Sequence, residues 1–237
     1  MISENIRNIR DRVAGACARR GRNPQDVVLL AVAKTFPGSL ISEAVEAGVA
    51  DIGENYVQEM LRKQEIVKDP RVRWHFIGHL QRNKVRSLIG RVGLIHSVDS
   101  FQLGQEISAR ASDAGIVATV LVQVNTTGER TKFGTAVKDA QGLTERLLAL
   151  PRLAVAGFMT IGPMLPDPEQ SRPAFRELAG LQDSCRRDGI FLPHLSMGMT
   201  NDFEIAVEEG ATLIRVGTAI FGARTPAVPV GLQNRRD

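Results

Sequence analysis

Two cysteines, one tryptophan and one tyrosine among 237 residues exclude several kinds of protein at the outset. Cys17 and Cys185 stand far apart and match neither a disulfide framework nor a zinc spacing, which fits a reducing cytoplasm. Aromatic residues make up 5% of the chain, too few for the stacking surfaces of a single-stranded nucleic-acid binder. An excess of one charge is also lacking: 30 Lys and Arg stand against 26 Asp and Glu, well interspersed, for a formal charge of +4. That balance gives a mild bias toward anionic ligands and not the footprint of a nucleic-acid protein. The clusters Arg19-Arg20-Gly21-Arg22 and Arg82-Asn83-Lys84-Val85-Arg86 read as solvated faces. No apolar run approaches the length of a membrane span, and residues 1–7 carry charge where a signal peptide needs an apolar core. With 43% hydrophobic residues and no linker, low-complexity stretch or composition break, the expectation is one cytoplasmic domain over 1–237.

What the chain does have is alternation. Strand-like runs over 27–34, 51–54, 73–78, 94–98, 117–124, 153–159, 194–197 and 213–217 are separated by helix-like segments. Those lie at 39–48, 55–67, 81–89, 101–114, 135–150, 168–188 and 202–209. Eight such units in about 200 residues predict right-handed crossovers winding a parallel sheet into a single (β/α)8 TIM barrel. No long helix follows the eighth strand, and an additional N-terminal helix over 3–20, with Ile2, Ile6, Ile9 and Val13 at helical spacing, is placed to fill that gap. A doubly wound open sheet is the competing architecture, but no G-x-G-x-x-G follows the first strand.

The first strand ends in a cation. Val27-Val28-Leu29-Leu30-Ala31-Val32-Ala33 runs into Lys34 and is stopped by Thr35-Phe36-Pro37-Gly38. Alternation puts Val28, Leu30, Val32 and Lys34 on one side, so the ammonium follows three hydrophobes inward. An unpaired ammonium there is costly, and a lowered pKa relieves the cost by leaving a neutral nucleophilic amine, the chemistry of a Schiff-base lysine. A strand-end lysine that snorkels to water is the plainer alternative.

A parallel barrel gathers its functional groups at the strand C-termini, often with a phosphate site after strands seven and eight. Here Ser196, Gly198, Thr200 and Asn201 run into a helix, and Gly217-Thr218 follows the last strand. Small residues and hydroxyls let an anion approach backbone N–H groups; ordinary helix capping is the alternative. Arg215 is a second cation among apolar neighbours, directed either at a ligand in the mouth or at an acidic partner such as Glu54. An amine nucleophile, a phosphate cradle and a guanidinium together point to pyridoxal phosphate (PLP), with Arg215 at the ring nitrogen. Competing motifs fail: residues 128–134 are not a P-loop, and His75 and His79 lack the Glu of H-E-x-x-H, which leaves His75 as a packed core residue.

The motifs Leu30-Ala31-Val32-Ala33-Lys34-Thr35, Gly53-Glu54-Asn55-Tyr56 and Trp74-His75-Phe76-Ile77-Gly78-His79, with Ser196-Met197-Gly198-Met199-Thr200-Asn201-Asp202 and Arg215-Val216-Gly217-Thr218, resemble those of the pyridoxal phosphate homeostasis proteins. That family looks like the N-terminal barrel of alanine racemase standing alone. The resemblance implies Lys34 as the Schiff-base lysine and Arg215 at the pyridine nitrogen. It implies Thr200, Gly217 and Thr218 at the phosphate, with Ser196 in the same motif, Asn55 near the ring and Met199 beside the cofactor. Thr200 departs from the family's more usual serine but keeps the hydroxyl. Lys132-Phe133-Gly134 approximates a Lys-x-Gly element, and Lys84 is a candidate second site for the cofactor.

Racemisation needs acid–base groups on both faces of the substrate–cofactor plane. Alanine-racemase-like enzymes draw one from a second domain, which this sequence does not show, and Tyr56 is no obvious substitute. An arginine at the ring nitrogen also disfavours its protonation and weakens the electron sink. The expectation is a non-catalytic PLP-binding protein of vitamin B6 homeostasis, a monomer that buffers PLP or delivers it to PLP-dependent apo-enzymes. A weakly active amino-acid racemase is the alternative, and a cofactor-free Schiff-base aldolase acting on a sugar phosphate is a third reading.

Overall fold

The computed structural model describes residues 1–129 and 131–223. Strands β1 (Val28–Val32), β2 (Asp51–Glu54), β3 (Arg73–Phe76), β4 (Leu94–Val98), β5 (Ala118–Asn125), β7 (Leu153–Met159), β8 (His194–Ser196) and β9 (Leu213–Val216) pair in parallel. Their order is β4-β3-β2-β1-β9-β8-β7-β5, and β4 also pairs β5, which closes the expected eight-stranded barrel. A two-residue strand, β6 (Thr135–Ala136), adds to the end of β5.

Side-chain alternation splits each strand between two environments. Outward residues such as Ala31, Ile52, Phe76, Ile95, Val120, Phe158 and Ile214 join the helices in one large apolar cluster. Inward residues Leu94, Leu121, Met159 and Leu213 form a separate small cluster. The rest of the interior is polar, with Asp51, His75, His96, Gln123, Ser196 and Arg215 all buried.

Helices α2 (Gly38–Glu46), α3 (Val57–Ile66), α4 (Val85–Leu88), α5 (Phe101–Asp113), α6 (Val137–Leu148), α7 (Arg172–Arg187) and α8 (Phe203–Glu208) fall in the connections. After β9 comes only the four-residue α9 (Thr218–Phe221). The N-terminal helix α1 (Ile2–Ala18) buries Ile2, Ile6, Ile9 and Val13 against α8, α9 and α2, filling the gap in the outer ring as expected. Two segments differ from the sequence pattern. Residues 81–89 divide into a 3-10 turn (Arg82–Lys84) and the short α4, and 168–188 begins as a 3-10 turn (Pro168–Ser171) capped by the Asp167 side chain.

The largest difference lies at Lys34. The strand stops at Val32, Ala33 still donates to the Gly53 carbonyl at 3.0 Å, and Thr35 takes a left-handed φ of 69°. Lys34 therefore occupies a half-buried turn above the strand and is not its buried last residue. That turn is held from below by a buried ion cluster. Lys63 Nζ donates to the Ala33 carbonyl at 2.6 Å and to Glu54 Oε1 and Glu59 Oε1 at 2.7 Å each. Glu59 Oε1 in turn accepts the Thr35 N–H at 2.6 Å. Glu54 is wholly buried, and burial outweighs its bond to Lys63, pushing its carboxyl up to about 7. A close backbone approach sits beside it: a Cβ on Gly78 would lie 2.1 Å from the Asn55 carbonyl oxygen, so the end of β3 passes Asn55 only as glycine.

Two outcomes are expected. Gly78→Ala should lower stability by about 2 kcal/mol or more in urea unfolding, because the methyl group meets backbone that cannot swing aside. For Glu54, the folded state holds its proton more tightly than the unfolded chain, so its contribution is present below the ordinary value of 4.5 and is lost as pH rises to about 7. Stability should thus fall by roughly 3 kcal/mol over that window in the wild type. The fall should be absent in Glu54→Gln, and equal pH slopes for the two chains would contradict this.

Candidate functional site at the barrel mouth

The strand C-termini share one end of the barrel. Leu30 is level with Arg215 and Ala31 with Val216, while Val32 is level with Gly53. Lys34 lies two residues past the end of β1 and Asn55 one residue past the end of β2, the strand on one flank of β1, while the loop after β9 follows the strand on its other flank. Asn55 is half-buried, and its Oδ1 is sealed from water with no hydrogen-bond partner among the described residues. A buried carbonyl oxygen of this kind calls for a donor that the described residues do not provide.

The loops after β8 and β9 that the sequence singles out lie side by side. Thr200 and Thr218 bring their hydroxyls to 3.2 Å of each other. Gly198 has φ 91°, and a Cβ there would lie 2.5 Å from that of Ala206 and 2.9 Å from Phe203 Cα. A Cβ on Gly217 would come within 3.2 Å of the Val32 carbonyl, so the end of β9 runs close along the end of β1. Met199 is half-buried, its N–H donating to Asp202 Oδ1 at 2.6 Å. Lys84 also lies past the end of β3, half-buried in its 3-10 turn.

Arg215 and Ser196 lie deeper. The guanidinium, only 5% exposed, donates from Nη1 to Ser196 Oγ at 2.6 Å and from Nη2 to the Thr160 carbonyl at 2.7 Å. Burial pushes Arg215 down to about 10, with the charge of Asp202 opposing. Glu54, the acidic partner considered from sequence, bonds Lys63 instead. Ser196 is wholly buried and faces Arg215 and His96, so it is joined to the guanidinium and not to the threonine pair.

Three residues missed by sequence reasoning complete the interior. His96 Nδ1 lies 2.9 Å from Ser196 Oγ, His96 Nε2 lies 3.0 Å from His75 Nδ1, and His75 Nε2 lies 3.0 Å from Asp51 Oδ1. His75 is therefore a hydrogen-bonded link and not a packed core residue, because its ring faces polar atoms at both nitrogens. Burial first, then the neighbouring His75 and Arg215, holds His96 well below its ordinary value, so it is a neutral imidazole. Burial opposes ionisation of Asp51, but hydrogen bonds from His75 and Arg73 outweigh it and hold the carboxyl down at about 2. The third missed residue is Thr160, whose carbonyl receives Arg215. Period-2 alternation was the available signal, since it turns Asp51 and Gly53, Arg73 and His75, and Leu94 and His96 to the same side of their strands. His79 stands apart, stacked on Phe133 with ring centroids 3.7 Å apart. A recess of about 570 Å³ lined by Ile9, Val13, Val28, Asp51 and Arg73 opens at the opposite end of the barrel, away from these groups.

The mouth thus offers an amine, an unpartnered acceptor, a fixed guanidinium and a small-residue hydroxyl pair. These fit a planar, phosphorylated aldehyde with a donor for Asn55 and an acceptor for Arg215. Residues 2–225 match the family model described as alanine racemase, N-terminal domain. The pyridoxal phosphate homeostasis protein of Aquifex aeolicus is 47% identical over 93% of this chain and 97% of its own, and that of Pseudomonas aeruginosa 41% identical over 96% and 98%. Among solved structures, PipY of Synechococcus elongatus with PLP bound is 33% identical, with a TM-score of 0.79 over 94% of this chain and all of its own. Alanine racemase of Clostridium difficile in complex with cycloserine shares the fold at 14% identity, TM-score 0.76, over 94% of this chain and 60% of its own. A barrel of this topology, matched nearly end to end by such relatives, makes the chain a member of the pyridoxal phosphate homeostasis protein family, built on the alanine racemase N-terminal barrel.

Proposed function

We propose that this protein binds PLP at the barrel mouth through Lys34 and serves intracellular PLP homeostasis by buffering the cofactor or handing it to apo-enzymes, without turning over a substrate of its own. The observation that carries the reading is that Lys34, an Asn55 Oδ1 with no partner among the described residues, the buried Arg215 and the Thr200–Thr218 hydroxyl pair all lie at or just past the C-terminal ends of neighbouring barrel strands. When bound, PLP supplies an aldehyde that forms a reversible Schiff base with an amine. Lys34 provides that amine, Asn55 accepts a hydrogen bond at the ring's edge, and Met199 covers a face. Thr200, Gly217 and Thr218 hold the phosphate. Ser196 acts one step removed, by holding Arg215.

The non-catalytic part of the reading rests on two features. Arg215 is a donor with no proton-accepting atom, so a ring nitrogen facing it stays unprotonated and withdraws electrons weakly. Tyr56, the one tyrosine, is 60% exposed at the start of α3 and does not face the interior as a second acid–base group would. A half-buried lysine beside an open mouth also suits release better than retention. No partner chain is needed to complete this set of residues, in keeping with a monomer. Among the described residues no helix is long and apolar enough to cross a membrane, and a cytoplasmic site of action fits the cysteine usage.

Purified protein incubated with PLP should develop a visible chromophore that Lys34→Ala abolishes. Borohydride reduction and peptide mapping should place the label on Lys34 and not Lys84. A chromophore that survives Lys34→Ala would refute the assignment, and retention of Schiff-base chemistry with a sugar phosphate but not with PLP would favour an aldolase. Solvent exchange of the α-proton across a panel of amino acids should stay at background; sustained turnover would make the protein a racemase.

A further inference from the structure

The hydrogen bonds crossing the barrel interior run in one direction, and the chemistry of the two ends decides which. A guanidinium only donates. Ser196 Oγ therefore accepts from Arg215 Nη1 at 2.6 Å, which leaves the serine hydrogen for His96 Nδ1 at 2.9 Å. At the far end the Asp51 carboxylate only accepts, and Arg73 Nε also donates to its Oδ1 at 2.8 Å. His75 Nε2 must then carry the hydrogen that reaches Asp51. Between the two rings, His75 Nδ1 and His96 Nε2 share one hydrogen across 3.0 Å. Two neutral imidazoles satisfy every atom in a single way: His96 Nε2–H donates to His75 Nδ1, and Ser196 O–H donates to His96 Nδ1.

The reversed arrangement is worse on two counts. It needs a His75 imidazolium, a second cation in an interior that already holds Arg215. It also turns His96 Nδ1–H onto Ser196 Oγ, so that the serine hydrogen loses its acceptor. His96 and Ser196 are wholly buried and His75 is 6% exposed, so water does not restore the missing partner.

We infer that Asp51, acting through His75 and His96, is a positioning residue for Arg215. Its carboxylate, at the opposite end of the barrel from the mouth, selects the Nε2–H tautomer of both imidazoles and so turns the Ser196 hydrogen onto His96, which orients the hydroxyl and leaves its oxygen to accept from the guanidinium alone. The bearing of this on cofactor affinity rests on the PLP site proposed above; the tautomers do not. His194, which burial first and then His75 hold below its ordinary value, and Asp202, which acts on Arg215 through its charge, are the other ionisable groups facing the series.

The test uses the chain labelled with 15N-histidine and 15N-arginine, without added ligand, at neutral pH. Two-bond 1H–15N spectra should show His75 and His96 as neutral Nε2–H tautomers. A His75 imidazolium, or an Nδ1–H tautomer at either ring, overturns the inference. In Asp51→Asn the carboxamide offers His75 a donor as well as an acceptor. Both rings should then lose their single tautomer, the Arg215 side-chain N–H groups should exchange about tenfold faster, and PLP should bind about tenfold more weakly. A folded Asp51→Asn chain with unchanged tautomers and unchanged Arg215 exchange would confine Asp51 to its pairing with Arg73 and overturn the inference. A wild-type chain that takes up no PLP would refute the functional reading instead, leaving the tautomers to decide this one.

Discussion

The Arg215 guanidinium sits where a barrel interior commonly carries branched aliphatic side chains, and the polar half of this interior is arranged to satisfy it. Arginine rarely loses its proton, so a buried guanidinium has to find acceptors or destabilise the fold. Here the acceptors come from the two preceding barrel positions, the carbonyl of Thr160 just past β7 and the hydroxyl of Ser196 at the end of β8. Neither carries a negative charge, and no salt bridge to Arg215 occurs among the described residues. Its charge therefore stays available to the mouth instead of being neutralised locally.

Satisfying Ser196 transfers the requirement to His96, then to His75, and finally to Asp51, where a carboxylate and Arg73 close the series. Inward-facing polar residues on β2, β3, β4 and β8 thus form one unit across the barrel, with the apolar cluster of Leu94, Leu121, Met159 and Leu213 filling the rest. On the other side of the mouth a second buried unit, Lys63 with Glu54 and Glu59, holds the turn that carries Lys34. Lysine and arginine are thereby each supported by ionic or polar groups from below, while the cradle between them is lined by glycine and threonine.

Much of this was legible before the fold was known. The eight strand–helix units, the outer-ring role of the N-terminal helix, and the placement of Lys34, Thr200, Gly217 and Thr218 past the strand ends follow from periodicity and from the order of elements along the chain. Other features were not. The apolar run predicts a strand that continues to Lys34, because it does not reveal that Thr35 adopts a left-handed conformation stabilised by Glu59, a residue 24 positions away. The sequence pattern reads His75 as packing, because alternation turns His75 and His96 inward on their own strands but does not say that residues 21 positions apart meet. Charge alone makes Glu54 a partner for Arg215, yet Glu54 shares the outward face of β2 with Ile52 and meets Lys63 of α3, whereas Arg215 points inward.

The amino-acid sequence by itself determined the architecture, the end of the barrel at which the chemistry lies, and which residues of each strand face inward, since all three follow from local period and loop composition. Tertiary structure alone decided which inward residues of different strands meet. Side-chain alternation is a property of one strand, whereas the contacts of Arg215 with Thr160 and Ser196, and of His96 with both Ser196 and His75, depend on the stagger of a sheet closed upon itself. That stagger is set by the packing of the whole ring and has no signature in any single segment.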